Sequence, residues 1–121
     1  FSLWCWFIGE AEKRQDPYLM TQAAGSVALY AGRLFLAWNR RLYPYHKWML
    51  RVLGECPDKP ENLIPLIEGL LQSPSVDRAK DLRECVDSFH PWGVELKESV
   101  SRFLVQTEWQ WRHRGPNVLE W

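Results

Sequence analysis

Residues 39–51, NRRLYPYHKWMLR, gather the side chains best suited to holding or moving charge. Arg40 and Arg41 carry planar guanidinium forks that grip a phosphate or carboxylate through paired hydrogen bonds. Lys47 adds a point charge, and Tyr43, Tyr45 and Trp48 have faces on which a base or ring can stack. His46 has an imidazole that can take and give a proton. Pro44 reads as the start of a helix, whose first-turn N–H groups attract anions. On that reading Arg40, Arg41, Tyr45 and Lys47 are the candidate substrate-binding residues. Lys47 would then stand against the helix dipole, at a cost of roughly a few tenths of a kcal/mol. The same residues also have a structural reading. Tyr43 and Trp48 would anchor the core, and Arg40 and Arg41 would favour the C-terminal end of the preceding helix.

Charge is unevenly spread. Residues 17–54 contain no acid and five basic residues, Arg33, Arg40, Arg41, Lys47 and Arg51, whereas residues 55–98 carry ten acids against five Lys or Arg. The formal net charge is zero. A basic stripe on a neutral chain fits a small anionic ligand better than bulk nucleic-acid binding. Equally, the basic and acidic segments can pair across one fold. Cys5, Cys56 and Cys85 are far apart and odd in number, and read as free, buried or half-buried thiols in a reducing cytoplasm. His46, His90 and His113 have no metal-ligand spacing. The chain has no glycine-rich phosphate loop, no G-x-S-x-G elbow and no close Asp pair for magnesium. No catalytic residue and no metal ligand is therefore assigned.

The elements that must position these residues are helical. Residues 1–14 are too apolar for a lone surface helix and read as a packed one. Asp16-Pro17 has the form of an N-cap followed by a first-turn proline. Met20, Ala23, Val27, Tyr30, Leu34, Ala37 and Trp38 then follow a 3-4 spacing that predicts a helix from about 17 to 42. Its small residues, Ala23, Ala24, Gly25, Ala28, Ala31 and Gly32, allow a close helix neighbour. A second helix is expected from Pro44 to about 54, a turn over 56–60, and a helix from about Asn62 with Pro65 in its first turn. The apolar side of that helix is Leu63, Leu66, Ile67, Leu70 and Leu71. Ser75 is the expected cap of the next helix, lined by Ala79, Leu82, Val86 and Phe89 and broken at His90-Pro91. Leu96, Val100, Phe103, Leu104, Thr107 and Trp111 carry the last helix, and residues 115–121 form a loose end. The expected architecture is all-α, an antiparallel bundle of five or six helices, in a single domain over 1–121. No apolar run approaches the roughly 18 residues that cross a bilayer, and no membrane partner is expected.

The stretch LFLAWNRRLYPYHKWMLRVL, with the small-residue helix before it, resembles the C-terminal helical region of a family of uncharacterised bacterial nucleotidyltransferase-like proteins. There a phrase of the kind L-N-R-R-Y-x-P-Y-x-K-W-L recurs, matched here by Asn39, Arg40, Arg41, Tyr43, Pro44, Tyr45, Lys47, Trp48 and Met49. The spacing differs slightly around Leu42-Tyr43. The resemblance covers about residues 20–53. More broadly the chain is similar to the helical domain that follows the catalytic head in kanamycin nucleotidyltransferase relatives. It implies a substrate-binding, cleft-closing domain, inactive alone, from the C-terminal part of a longer cytoplasmic protein. Its partner would be its own N-terminal head, in which a G-S motif and paired Asp residues hold Mg²⁺ and a nucleoside triphosphate. The relatives also draw a carboxylate base from the helical domain, but no acid in 17–54 matches it.

Two other readings fit some residues. Helical HEPN domains cleave RNA through an R-x4-6-H motif, in which Arg holds the phosphate while His moves a proton. Arg41 with His46, and Arg83 with His90, have that spacing, although Leu42 stands where a polar residue is usual and Pro44 interrupts the first pair. Alternatively the surplus of Trp, among them Trp4, Trp6, Trp109, Trp111 and Trp121, marks a homodimer face or the seam with a head domain.

Overall fold

The computed structural model describes residues 1–93 and 96–103. The fold is all-α, with six α-helices and one 3-10 turn among the described residues. The chain divides into two compact units, Phe1–Pro91 and Trp92–Trp121.

In the first unit, α1 spans Ser2–Arg14 and buries Ile8 and Ala11. It ends on Gln15 in the left-handed region, φ 51°, which lets the Asp16 amide donate back to the Ala11 carbonyl at 3.0 Å. Asp16 then caps α2, Pro17–Trp38, by accepting the Leu19 amide on Oδ1 at 3.0 Å. So short a connection folds α2 back antiparallel on α1. Ala23, Ala24, Ala28, Ala31 and Gly32 are all buried, and small side chains here let the helices approach closely. Gly32 also makes room for α3, because a Cβ there would lie 3.0 Å from Met49 Sδ. Gly25 has no such role: it is exposed, with nothing within 4 Å of where its Cβ would be.

The buried stripe of α2 is rotated from the expected one. Phe35 and Leu36 are fully buried, whereas Ala37 and Trp38 are exposed and Tyr30 and Leu34 half-buried. Phe35 meets Phe89 edge-on at 5.2 Å between ring centroids. A fully buried side chain of this size contributes about 1.5–3 kcal/mol.

After a 3-10 turn at His46–Trp48 comes α3, Met49–Gly54, then α4, Leu63–Gln72, with Pro65 in the first turn as expected. Leu63, Ile67 and Leu70 face the core, while Leu71 is exposed. Ser75 caps α5, Val76–Phe89, by accepting the Arg78 amide on Oγ at 3.3 Å. Ala79, Leu82 and Val86 bury its inner side. His90 is extended and Pro91 follows, which ends the helix. In this unit α1 packs on α2 and α5, α4 on α2 and α5, and α3 on α2 and α4.

The second unit contains α6, Leu96–Phe103. The expected continuation through Leu104, Thr107 and Trp111, the loose end at 115–121, His113 and Trp109 and Trp121 lie outside the described residues. No helix among the described residues is long and apolar enough to cross a membrane.

Candidate functional site

The C-terminal end of α2 is held by Asn39. Its side-chain nitrogen donates to the carbonyls of Phe35 at 2.8 Å and Asp58 at 2.9 Å, while its Oδ1 accepts the Asp58 amide at 3.0 Å. This reciprocal clamp ties the 56–60 turn to the helix end. Lys59 secures the other side of the turn, donating from Nζ to the carbonyls of Gly54 at 3.1 Å and Cys56 at 2.6 Å. The clamp also explains why α2 stops four residues before the expected 42. Arg40 takes a left-handed conformation, φ 55°, and the amides of Arg40 and Arg41 close onto the carbonyls of Ala37 at 2.9 Å and Leu36 at 2.8 Å.

Between the helix end and the turn lies an open groove of about 700 Å³, lined by Ala37, Trp38, Asn39, Arg40, Arg41, Pro57 and Asp58. The α2 dipole by itself favours cations at this end, so Arg40 and Arg41 have a sufficient structural reason to be here. The main-chain amides already satisfy the last carbonyls, however, which leaves the guanidinium groups for other partners. Arg41 reaches Glu55 at 3.6 Å, and Glu55 is shared with Arg51 at 3.6 Å. Among the described residues no ion pair engages Arg40 or Asp58. The basic and acidic segments thus pair at Glu55 but not across the groove. Trp38 forms one wall and is 42% exposed. Its ring lies 4.7 Å from His90 and 6.0 Å from Phe89.

The four candidate residues separate. Arg40 and Arg41 line the groove; Tyr45 and Lys47 do not. Pro44 does not begin a helix, contrary to expectation. Residues 41–45 are irregular, and the 3-10 turn starts at His46. The reason lies in Tyr45, held at φ 75°, ψ 158°, a conformation almost restricted to glycine that breaks any helical path from Pro44. The expected anion site on first-turn amides after Pro44 is therefore absent. Lys47 instead lies 5.2 Å from the centroid of Trp48, with Arg51 at 5.3 Å from the same ring. Trp48 is not a core anchor: it is 44% exposed. Tyr43 is half-buried under Arg33 at 5.5 Å, and its hydroxyl meets His46 Nδ1 at 2.8 Å. Burial pushes the Tyr43 phenol up, with the Arg33 guanidinium working against the shift. Tyr45 is 66% exposed and Leu42 92% exposed.

The paired Arg and His residues have partners of their own. Arg41 engages Glu55 and His46 engages Tyr43. Arg83 bonds Asp87 at 3.3 Å, and His90 packs on Trp38. Cys56 is buried, and Cys5 and Cys85 are half-buried free thiols. Among the described residues no three His, Cys, Asp or Glu side chains gather to hold a metal ion. A magnesium site needs carboxylate or phosphate oxygens in near-octahedral array, and the groove offers the single carboxylate of Asp58.

Sequence reasoning missed Trp38 and Asp58 as groove residues and Asn39 as its organiser. Asn just past a helix is a recognised cap signal, but its partner lies 19 residues away. No protein-family model, curated protein or solved structure matches the chain.

Proposed function

We propose that this chain is a helical substrate-binding and cleft-closing domain that takes the anionic part of a ligand on Arg40 and Arg41 and works beside a nucleotidyltransferase head. The observation that carries the reading is the groove, lined by Arg40 and Arg41 at a helix end that Asn39 clamps to the 56–60 turn. The bare side chains of Leu42, Tyr45 and Trp48 support a partner surface next to it, since exposed apolar side chains clustered in a short segment mark contact sites. That surface would meet the head or a second copy of the chain. Tyr45 and Lys47 belong to this contact surface in the proposal, not to the groove. The domain has no catalytic role of its own, and Mg²⁺ and the reacting triphosphate would be held mainly by the head.

Calorimetric titration with inorganic triphosphate, at low salt and without metal, tests the anion-binding part. Saturable 1:1 binding is expected, weakened about tenfold or more in Arg40→Ala/Arg41→Ala, as loss of charge-assisted bonds requires. Absence of binding, or equal binding by the double variant, would remove the reading.

A further inference from the structure

Two exposed surfaces of the first unit carry opposite charge. Leu42 is 92% exposed and Tyr45 66% exposed, so an aliphatic and an aromatic side chain reach solvent from one short irregular segment. Their surroundings are cationic. Arg40 and Lys47 are exposed and enter no ion pair among the described residues, and no acid occurs from 17 to 54. Tyr45 holds its place at φ 75°, a strained conformation of the kind found at functional sites. On α5, Asp77, Asp81 and Glu84 recur at a spacing that sets them on one side of the helix. All three are exposed, opposite the buried Leu82 and Val86. Asp81 and Glu84 enter no ion pair among the described residues, and Asp77 has only Lys80 at 3.9 Å. Like charges at this spacing repel along a helix, and an opposing cationic surface relieves that repulsion. Within one chain the two surfaces do not serve each other. The 3-10 turn that carries Lys47 packs on α3, whereas α5 packs on α1, α2 and α4. The ion pairs of the basic segment stop at Glu55. The formal net charge of zero means that copies of the chain have no overall charge repulsion to overcome.

We infer that a second copy of the chain covers the exposed segment 42–48. It lays the acidic stripe of its α5 against Arg40 and Lys47 and takes Leu42 and Tyr45 out of solvent. The contact joins two different surfaces, each of which can be disabled alone. The inference rests on the contact surface proposed above, and names both its occupant and the face that the occupant offers.

Sedimentation velocity of the full chain over a range of concentrations tests it. At low salt the average mass is expected to rise above that of the monomer with concentration, and to fall back at high salt as the charges are screened. Leu42→Ser/Lys47→Gln disables the basic surface and Asp81→Asn/Glu84→Gln the acidic one. Each double variant should associate about tenfold more weakly than the wild-type chain. An equimolar mixture of the two should associate about tenfold more tightly than either alone, because only the mixture pairs an intact basic surface with an intact acidic one. A wild-type chain that stays monomeric throughout overturns the inference. So does association that either double variant leaves unchanged, or a mixture no tighter than its parts. A monomer that instead binds vesicles containing phosphatidylserine overturns it as well, since a lipid surface is then the occupant. Triphosphate titration of that monomer does not depend on association, so the anion-binding reading stands or falls separately. Circular dichroism identifies any variant that has lost its fold, and the concentration and salt dependence of the wild-type chain decides the matter without one.

Discussion

The seam between α1 and α2 and the segment from Trp38 to Trp48 are built on opposite rules. Along the seam, alanines are buried, and no ion pair crosses it among the described residues. Every choice there serves close packing. A few residues on, the chain exposes Leu42, Tyr45 and Trp48, turns through positive φ at Arg40 and Tyr45, and collects cations. Those choices oppose stability: strain of the Tyr45 kind costs about 1–3 kcal/mol, and bare apolar rings gain nothing in an isolated fold. Residues that packing does not require are where function is best sought, and the contrast can be tested by substitution.

The largest effect is expected on the structural side. Phe35→Ala removes a fully buried ring from contact with Phe89 and should cost about 3–5 kcal/mol in chemical denaturation. A loss under about 1 kcal/mol would mean that the seam and its edge are not the core. Next, Asn39→Ala deletes the clamp and should cost about 1–3 kcal/mol. It should also speed amide exchange at Asp58, whose N–H bonds Asn39 Oδ1. Unchanged exchange at that amide would separate the turn from the helix end and weaken the case for a preformed groove.

Much of the fold was legible because its signals are local. Asp16-Pro17, Ser75, Pro65 and His90-Pro91 each act on their own turn of chain, and each behaves as expected. Failures occurred where distant residues decide the outcome. The end of α2 depends on Asp58, 19 residues beyond Asn39. The rotation of its buried stripe depends on Phe89, which holds Phe35 inside. In the candidate site, the arginines were legible from type and spacing. Trp38 read as core because the 3-4 pattern passed through it, and Asp58 read as an ordinary turn residue.

Smaller effects sharpen the comparison. Gly25 lies on the outer side of α2 with open space at its Cβ position. Gly25→Ala should therefore stabilise by about 0.5–1 kcal/mol in the same denaturation assay. Destabilisation would reveal a contact on that face. Around neutral pH the Cys5 thiol is protonated in the folded and unfolded chain alike, so it makes stability no more and no less pH-dependent there. Burial pushes its pKa from the ordinary 9.0 up to about 11. A thiol raised on folding gives its full stabilisation below about pH 9 and loses it as pH climbs through about 11. Denaturation in that window should show falling stability that Cys5→Ala reduces, with the raised Cys85 and Tyr43 groups accounting for a remainder. Alkylation of Cys5 at pH 8 should be slow in the folded chain, because little thiolate is present.

The contrast between a structural seam and a ligand-bearing helix end is tested most directly by amide chemical shifts of the full chain on addition of inorganic triphosphate. Shifts concentrated at residues 37–41 and 57–58, with those of Ala23 through Phe35 unmoved, are predicted. No shift at saturating triphosphate, or a response centred on the seam, would contradict the account.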